Sequence, residues 1–121
     1  VISKIGFVTL AVADQDVMAE FFVDTLGFAK TVDAEMWPGA RWVQVTPPDA
    51  QTALVLERAA DFGREPDKQY PLGFSCADLA ETHARLTAAG VPVTEPETHP
   101  WGSFIKVTDP EGREFVVNDK G

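Results

Sequence analysis

The sequence is poor in several residue types, and each scarcity excludes something. It contains one cysteine, Cys76, so no internal disulfide can form. No basic residue lies near Cys76 in sequence to lower its pKa, so it reads as a small buried hydrophobe rather than a reactive thiol. Basic residues are few: Lys plus Arg total 10 against 19 Asp plus Glu, a formal net charge of −9. That field repels a phosphate backbone, and nucleic acid is not expected as a partner. The two histidines, His83 and His99, are not at ligand spacing, which argues against a compact zinc site. No run of about 18 apolar residues exists, so no membrane-spanning helix is expected. The segment Val1 to Gly6 already reads as strand and lacks the basic start and apolar stretch of a signal peptide; a cytoplasmic location is expected. No serine or cysteine stands in a matching His and Asp context, and no phosphate-cradling glycine loop is present.

What is present is a duplicated module. The chain has 121 residues, 45% of them hydrophobic, enough for a core without disulfides or a structural metal. Ala11-Val12-Ala13-Asp14 matches Ser75-Cys76-Ala77-Asp78, and each Asp opens an apparent helix that ends at Gly27 or Gly90. Trp42-Val43-Gln44-Val45-Thr46 matches Phe104-Ile105-Lys106-Val107-Thr108, and Thr52-Ala53-Leu54-Val55 matches Glu114-Phe115-Val116-Val117. Two modules of about 60 residues each are therefore fused in one chain. In the first, strands are expected at Ile5–Val12, Lys30–Ala34, Arg41–Thr46 and Thr52–Glu57, with Val17, Met18, Phe21, Phe22 and Leu26 forming one apolar helix face. In the second, strands are expected at Leu72–Cys76, Val93–Glu95, Ser103–Thr108 and Glu114–Asn118, and Asp78 with Glu81 forms a variant capping box. The expected fold class is α+β, with two βαβββ modules forming a curled mixed sheet around a cleft. The expected domain is single, residues 1–121, with module one at 1–57, a polar linker at 58–69 and module two at 70–121. Pairing of modules within or between chains satisfies the same contacts, so a homodimer is also expected.

Ile5-Gly6-Phe7-Val8-Thr9-Leu10-Ala11-Val12-Ala13-Asp14, followed by Phe21-Phe22 and Leu26-Gly27-Phe28, resembles the opening of the vicinal oxygen chelate superfamily. Asp109-Pro110-Glu111-Gly112-Arg113-Glu114-Phe115 is similar to its closing turn and strand. That superfamily includes glyoxalase I, extradiol dioxygenases, fosfomycin resistance enzymes and bleomycin resistance proteins. The resemblance implies the fold and leaves the reaction open, because the fold hosts many chemistries. It also implies metal-ligand positions on the first and last strand of each module. These correspond to Phe7, to Pro71 or Leu72, to Leu54 and to Val116, none of which can bind a divalent cation. No metal, no cofactor and no catalytic residue is therefore expected.

With the ligand positions vacant, the cleft is the candidate site. Strand alternation puts Val8, Leu10, Val43, Val45, Val55, Ile105, Val107, Phe115 and Val117 toward the helices. The opposite parity holds Phe7, Thr9, Trp42, Gln44, Thr52, Leu54, Phe104, Lys106, Glu114, Val116 and Asn118. Rings with separated polar groups suit a planar organic ligand. Phe7, Trp42, Phe104 and Trp101 would stack, while Gln44, Lys106, Glu114 and Asn118 would orient. Trp37 and Trp101, in Gly/Pro-marked turns, are either walls of the cleft mouth or plugs of a sheet or dimer contact. Lys106 and Glu114 either pair with each other or hold a ligand's charged groups. His99 precedes Pro100 and Trp101 and is the best single candidate for proton transfer, with Glu114 as a further candidate base, although an ordinary loop histidine is favoured. The expected function is metal-free binding of a small planar aromatic compound such as an antibiotic. A metal-dependent lyase, isomerase or dioxygenase with displaced ligands is the alternative.

Overall fold

Asp14 and Asp78 each start a helix for the same reason: their carboxylates accept hydrogen bonds from otherwise orphaned backbone N–H groups. In the computed structural model, which describes residues 1–119, Asp14 accepts from the N–H of Asp16 and Val17, and Asp78 from that of Glu81. The chain divides into two compact units, residues 1–71 and 72–121.

The first unit holds β1 (Phe7–Val12), α1 (Gln15–Glu20), β2 (Ala29–Trp37), β3 (Ala40–Thr46) and β4 (Ala53–Arg58). Its sheet has the order β1-β4-β3-β2, with β1 parallel to β4 and the other pairs antiparallel. After α1 the chain widens into a π turn at Phe21–Thr25, where the N–H of Leu26 reaches back to the carbonyl of Phe21. Adjacent Phe21 and Phe22 are both buried there, with ring centroids 5.5 Å apart. Gly27 then turns the chain at φ 80°, where a side chain would be strained. Val17, expected on the apolar helix face, is instead exposed, and Met18 carries the contact with the core. Buried Gln15 donates to the carbonyls of Arg41 and Leu56 and so ties α1 to β3 and β4.

The segment 58–69, read from its composition as a linker, is built into the first unit. It includes a 3-10 turn at Ala59–Phe62. The backbone N–H of Asp67 donates to the carbonyl of Ala11, and the Asp67 carboxylate accepts from the Ala11 N–H at 2.8 Å. Arg64 bridges Glu57 and Asp67.

The second unit holds β5 (Phe74–Ser75), α2 (Leu79–Ala88), β6 (Glu97–His99), β7 (Gly102–Thr108) and β8 (Glu114–Asn118), in the sheet order β5-β8-β7-β6. The strand expected at Val93–Glu95 is reduced to a bridge between Val93 and Val107, and the regular strand begins at Glu97. Pro92 and Pro96 flank that stretch and lack the N–H a ladder needs. The turn after β7 is locked by charge. Asp109 accepts from the backbone N–H of Glu111 and Arg113, while the buried Arg113 guanidinium pairs with Asp109 at 3.0 Å and Glu111 at 2.7 Å. Burial opposes the Arg113 charge, but the bonds to Glu111 and Asp109 outweigh it and raise its pKa above the usual arginine value.

Candidate functional site

Each sheet has one face packed by apolar side chains and one that is not. In the first unit the register aligns Val8 with Leu54 and Leu54 with Val45, and Leu10 with Leu56 and Leu56 with Val43. Arg41 shares that parity and reaches Asp16 on α1, so this is the face toward the helix. Leu54, expected at the site, is therefore on the helix side and 2% exposed. Val55, expected toward the helix, instead shares the open face with Thr9 and Gln44. The cause is loop length. The β3–β4 connection carries one residue more than the matching β7–β8 connection, and one residue inverts every side chain of the following strand.

Phe7, Thr9, Trp42 and Gln44 do share the open face of the first sheet, over Ala53 and Val55. Phe7 is 53% exposed and meets Trp42 edge to face at 5.3 Å between centroids. The Trp42 indole N–H donates to the Gln44 side-chain oxygen at 3.0 Å, and the Gln44 amide donates on to the Thr31 hydroxyl. Trp42 is thus fixed in orientation, and Gln44 is committed to its neighbours. Thr52, given the same parity, turns back to donate to the Ile5 carbonyl at 2.6 Å. Trp37 is at the tip of the β2–β3 hairpin against Phe62, with ring centroids 5.5 Å apart. Arg58 secures the same tip by donating to the Gly39 carbonyl and to Asp61, whose second carboxylate oxygen is buried without a hydrogen-bond partner among the described residues.

In the second unit the parity is as expected. Ile105, Val107, Phe115 and Val117 are buried, whereas Phe104, Lys106, Glu114, Val116 and Asn118 occupy the other face. Asn118 accepts from the Ser75 hydroxyl at 2.7 Å. Phe104 joins His99 and Trp101 in a plate of three rings, parallel to within 8° and with centroids 5.1 to 5.8 Å apart. A loop position was expected for His99. It belongs to β6, and its Nε2 meets the Glu97 carboxylate at 2.6 Å. Only the short spacing His99, Trp101, Phe104 around a turn hinted at the plate. Lys106 and Glu114 do not pair: among the described residues no ion pair joins either of them to a side chain.

Two other charge clusters lie away from these faces. Arg41 bridges Asp16 and Asp33, and Lys30 also pairs with Asp33. Hydrogen bonding to Arg41 holds the Asp16 and Asp33 carboxyls below the usual carboxylate value and raises the pKa of Arg41. His83 lies 3.8 Å from Glu95 beside α2. Cys76 is half-buried rather than buried, with its backbone N–H bonded to the Asn118 carbonyl.

Two sheets of order 1-4-3-2, each with one helix on its apolar face, define a βαβββ duplication. Residues 4–117 match the model of the Glyoxalase/Bleomycin resistance protein/Dioxygenase superfamily, and the chain belongs to that family. The Bacillus subtilis (strain 168) protein named Uncharacterized protein YetH is 30% identical over 119 residues, 98% of this chain and 99% of the relative. Among solved structures, a superfamily member from Sphaerobacter thermophilus DSM 20745 superposes with TM-score 0.88 at 34% identity, covering 97% of both chains. TnmS3, described as an antibiotic binding protein from Streptomyces sp. CB03234, superposes with TM-score 0.84 at 32% identity, covering 97% of this chain and 95% of its own.

The divalent metal implied by metal-dependent relatives does not fit these residues. With the parity corrected, the first- and last-strand positions are Phe7, Pro71, Val55 and Val116, none of which offers an oxygen or nitrogen side-chain donor. Among the described residues no group of three or more His, Cys, Asp or Glu side chains is placed to hold a metal ion. No helix of the described residues is long and apolar enough to cross a membrane.

Proposed function

We propose that this protein binds a planar aromatic small molecule, such as an antibiotic, and sequesters it without a metal and without chemical conversion. The observation that carries the reading is the plate of His99, Trp101 and Phe104, with Trp101 55% exposed. Leaving such rings in water is unfavourable, and parallel rings offer a flat ligand a matching surface. Asn118 lies across from Phe104 and Lys106 two positions along β7, polar groups that orient the ligand, with Val116 across from Lys106 and Glu114 farther along the same face. Phe7, Thr9, Trp42 and Gln44 give the first unit an aromatic surface of its own, with Trp42 held in orientation by Gln44, and Trp37 lies at the tip of its β2–β3 hairpin. The antibiotic-binding relative TnmS3 supports the same reading. We also propose a cytoplasmic homodimer. Light scattering at several concentrations tests the assembly, and a monomer at all of them contradicts it.

Tryptophan fluorescence quenching tests the binding. A panel of planar antibiotics titrated into the wild-type chain should include at least one saturable binder. Trp101→Ala and Phe104→Ala should each weaken it by about tenfold, the loss of one stacking contact and its buried area. No saturable quenching, or wild-type affinity retained in both variants, would sink the reading.

A further inference from the structure

The open face of the second sheet carries charge beside its rings. Phe104 and Lys106 are two positions apart on β7 and share its open face, so their Cα atoms are about 7 Å apart along the strand. Lys106 is exposed and, among the described residues, in no ion pair. The face also holds two carboxylates. Glu97 is taken by His99 at the edge of the plate. Glu114 lies across from Thr108, diagonal to Lys106, and is also unpaired.

Resting on the ligand-binding reading, we propose that the site selects flat aromatic acids: the ring system lies on Phe104, Trp101 and His99, and an anionic substituent pairs with the Lys106 ammonium. Among the described residues of this face Lys106 is the one lysine or arginine. A net charge of −9 disfavours anions over the surface as a whole, but at physiological salt that field is screened within about 8 Å. A contact pair at Lys106 escapes the screening, whereas an anion without a ring system gains nothing to hold it there. Glu114 works against the pair and limits the preference to a single acid group.

The test uses two probes of nearly equal shape, anthraquinone-2-carboxylate and anthraquinone-2-carboxamide, titrated into the full chain at neutral pH. The ratio of their dissociation constants is the readout. The wild type should favour the carboxylate by about fivefold, the upper range for a partly exposed pair. That ratio should fall toward unity in Lys106→Gln, persist in Lys106→Arg, and rise in Glu114→Gln. Lys68→Gln, which removes an exposed lysine from the segment following the 3-10 turn, should leave it unchanged. Equal affinities in the wild type, or a preference that survives Lys106→Gln, would overturn the assignment while leaving the binding of flat rings intact. Failure of both probes while a planar compound of the antibiotic panel still binds would overturn the charge assignment alone; failure of the probes and of the whole panel would contradict the underlying binding reading.

Discussion

Gln15 and Arg113 show how single polar side chains hold this fold. Gln15 is a buried amide whose two donor bonds, at 2.9 and 2.8 Å, end on main-chain carbonyls of two strands. Gln15→Leu keeps the volume and strands both acceptors. It is expected to cost about 1–3 kcal/mol, read as a lower urea midpoint with unchanged m-value. Arg113 matters more because its partners are charged and buried with it; its side chain is 4% exposed and that of Asp109 is fully buried. Arg113→Ala leaves two carboxylates without their cation and is expected to cost about 3–5 kcal/mol by the same measurement. Smaller losses would mean that the turn relaxes toward water. Both losses are read from unfolding and the Trp101→Ala loss from ligand affinity, so the two are measured separately.

At the scale of elements, helix starts and the duplicated pattern were legible because they rest on local chemistry. Asp14 and Asp78 stand where apolar helical periodicity begins, and both act as N-caps. Asp14→Ala and Asp78→Ala are each expected to cost about 1 kcal/mol in thermal or denaturant unfolding. What was not legible was a matter of counting. One additional residue in the β3–β4 loop exchanged Leu54 and Val55 between faces, and no composition signal marks that insertion because Ala53-Leu54-Val55-Leu56 of β4 is apolar in both parities. The ring plate was half legible: Trp101 and Phe104 were expected, whereas His99 joined them through strand pairing with Gly102. The Arg41 cluster predicts a pH effect. Asp16 and Asp33 have carboxyls lowered by Arg41 in the folded chain, so their stabilisation is present above the unfolded carboxylate pKa. It is lost as pH falls below that value through the folded pKa. Arg41→Gln should therefore flatten the acid limb of a stability-versus-pH curve; an unchanged limb would mean that solvent screens the cluster completely.

For the whole molecule, the duplicated fold, the unfit ligand positions and the parallel rings, with Trp101 exposed, bear on one account: a family scaffold used for holding a flat molecule rather than for metal chemistry. The fold alone does not decide this, since it carries many reactions. The decisive quantity is affinity for a flat ring system in the absence of any available metal. The direct measurement is isothermal titration of the full chain, extensively dialysed against a strong chelator, with a planar aromatic ligand identified by fluorescence quenching. The account predicts saturable binding with the same dissociation constant with and without chelator. Binding that vanishes with the chelator and returns on adding a divalent cation would contradict it and put metal-dependent chemistry in its place.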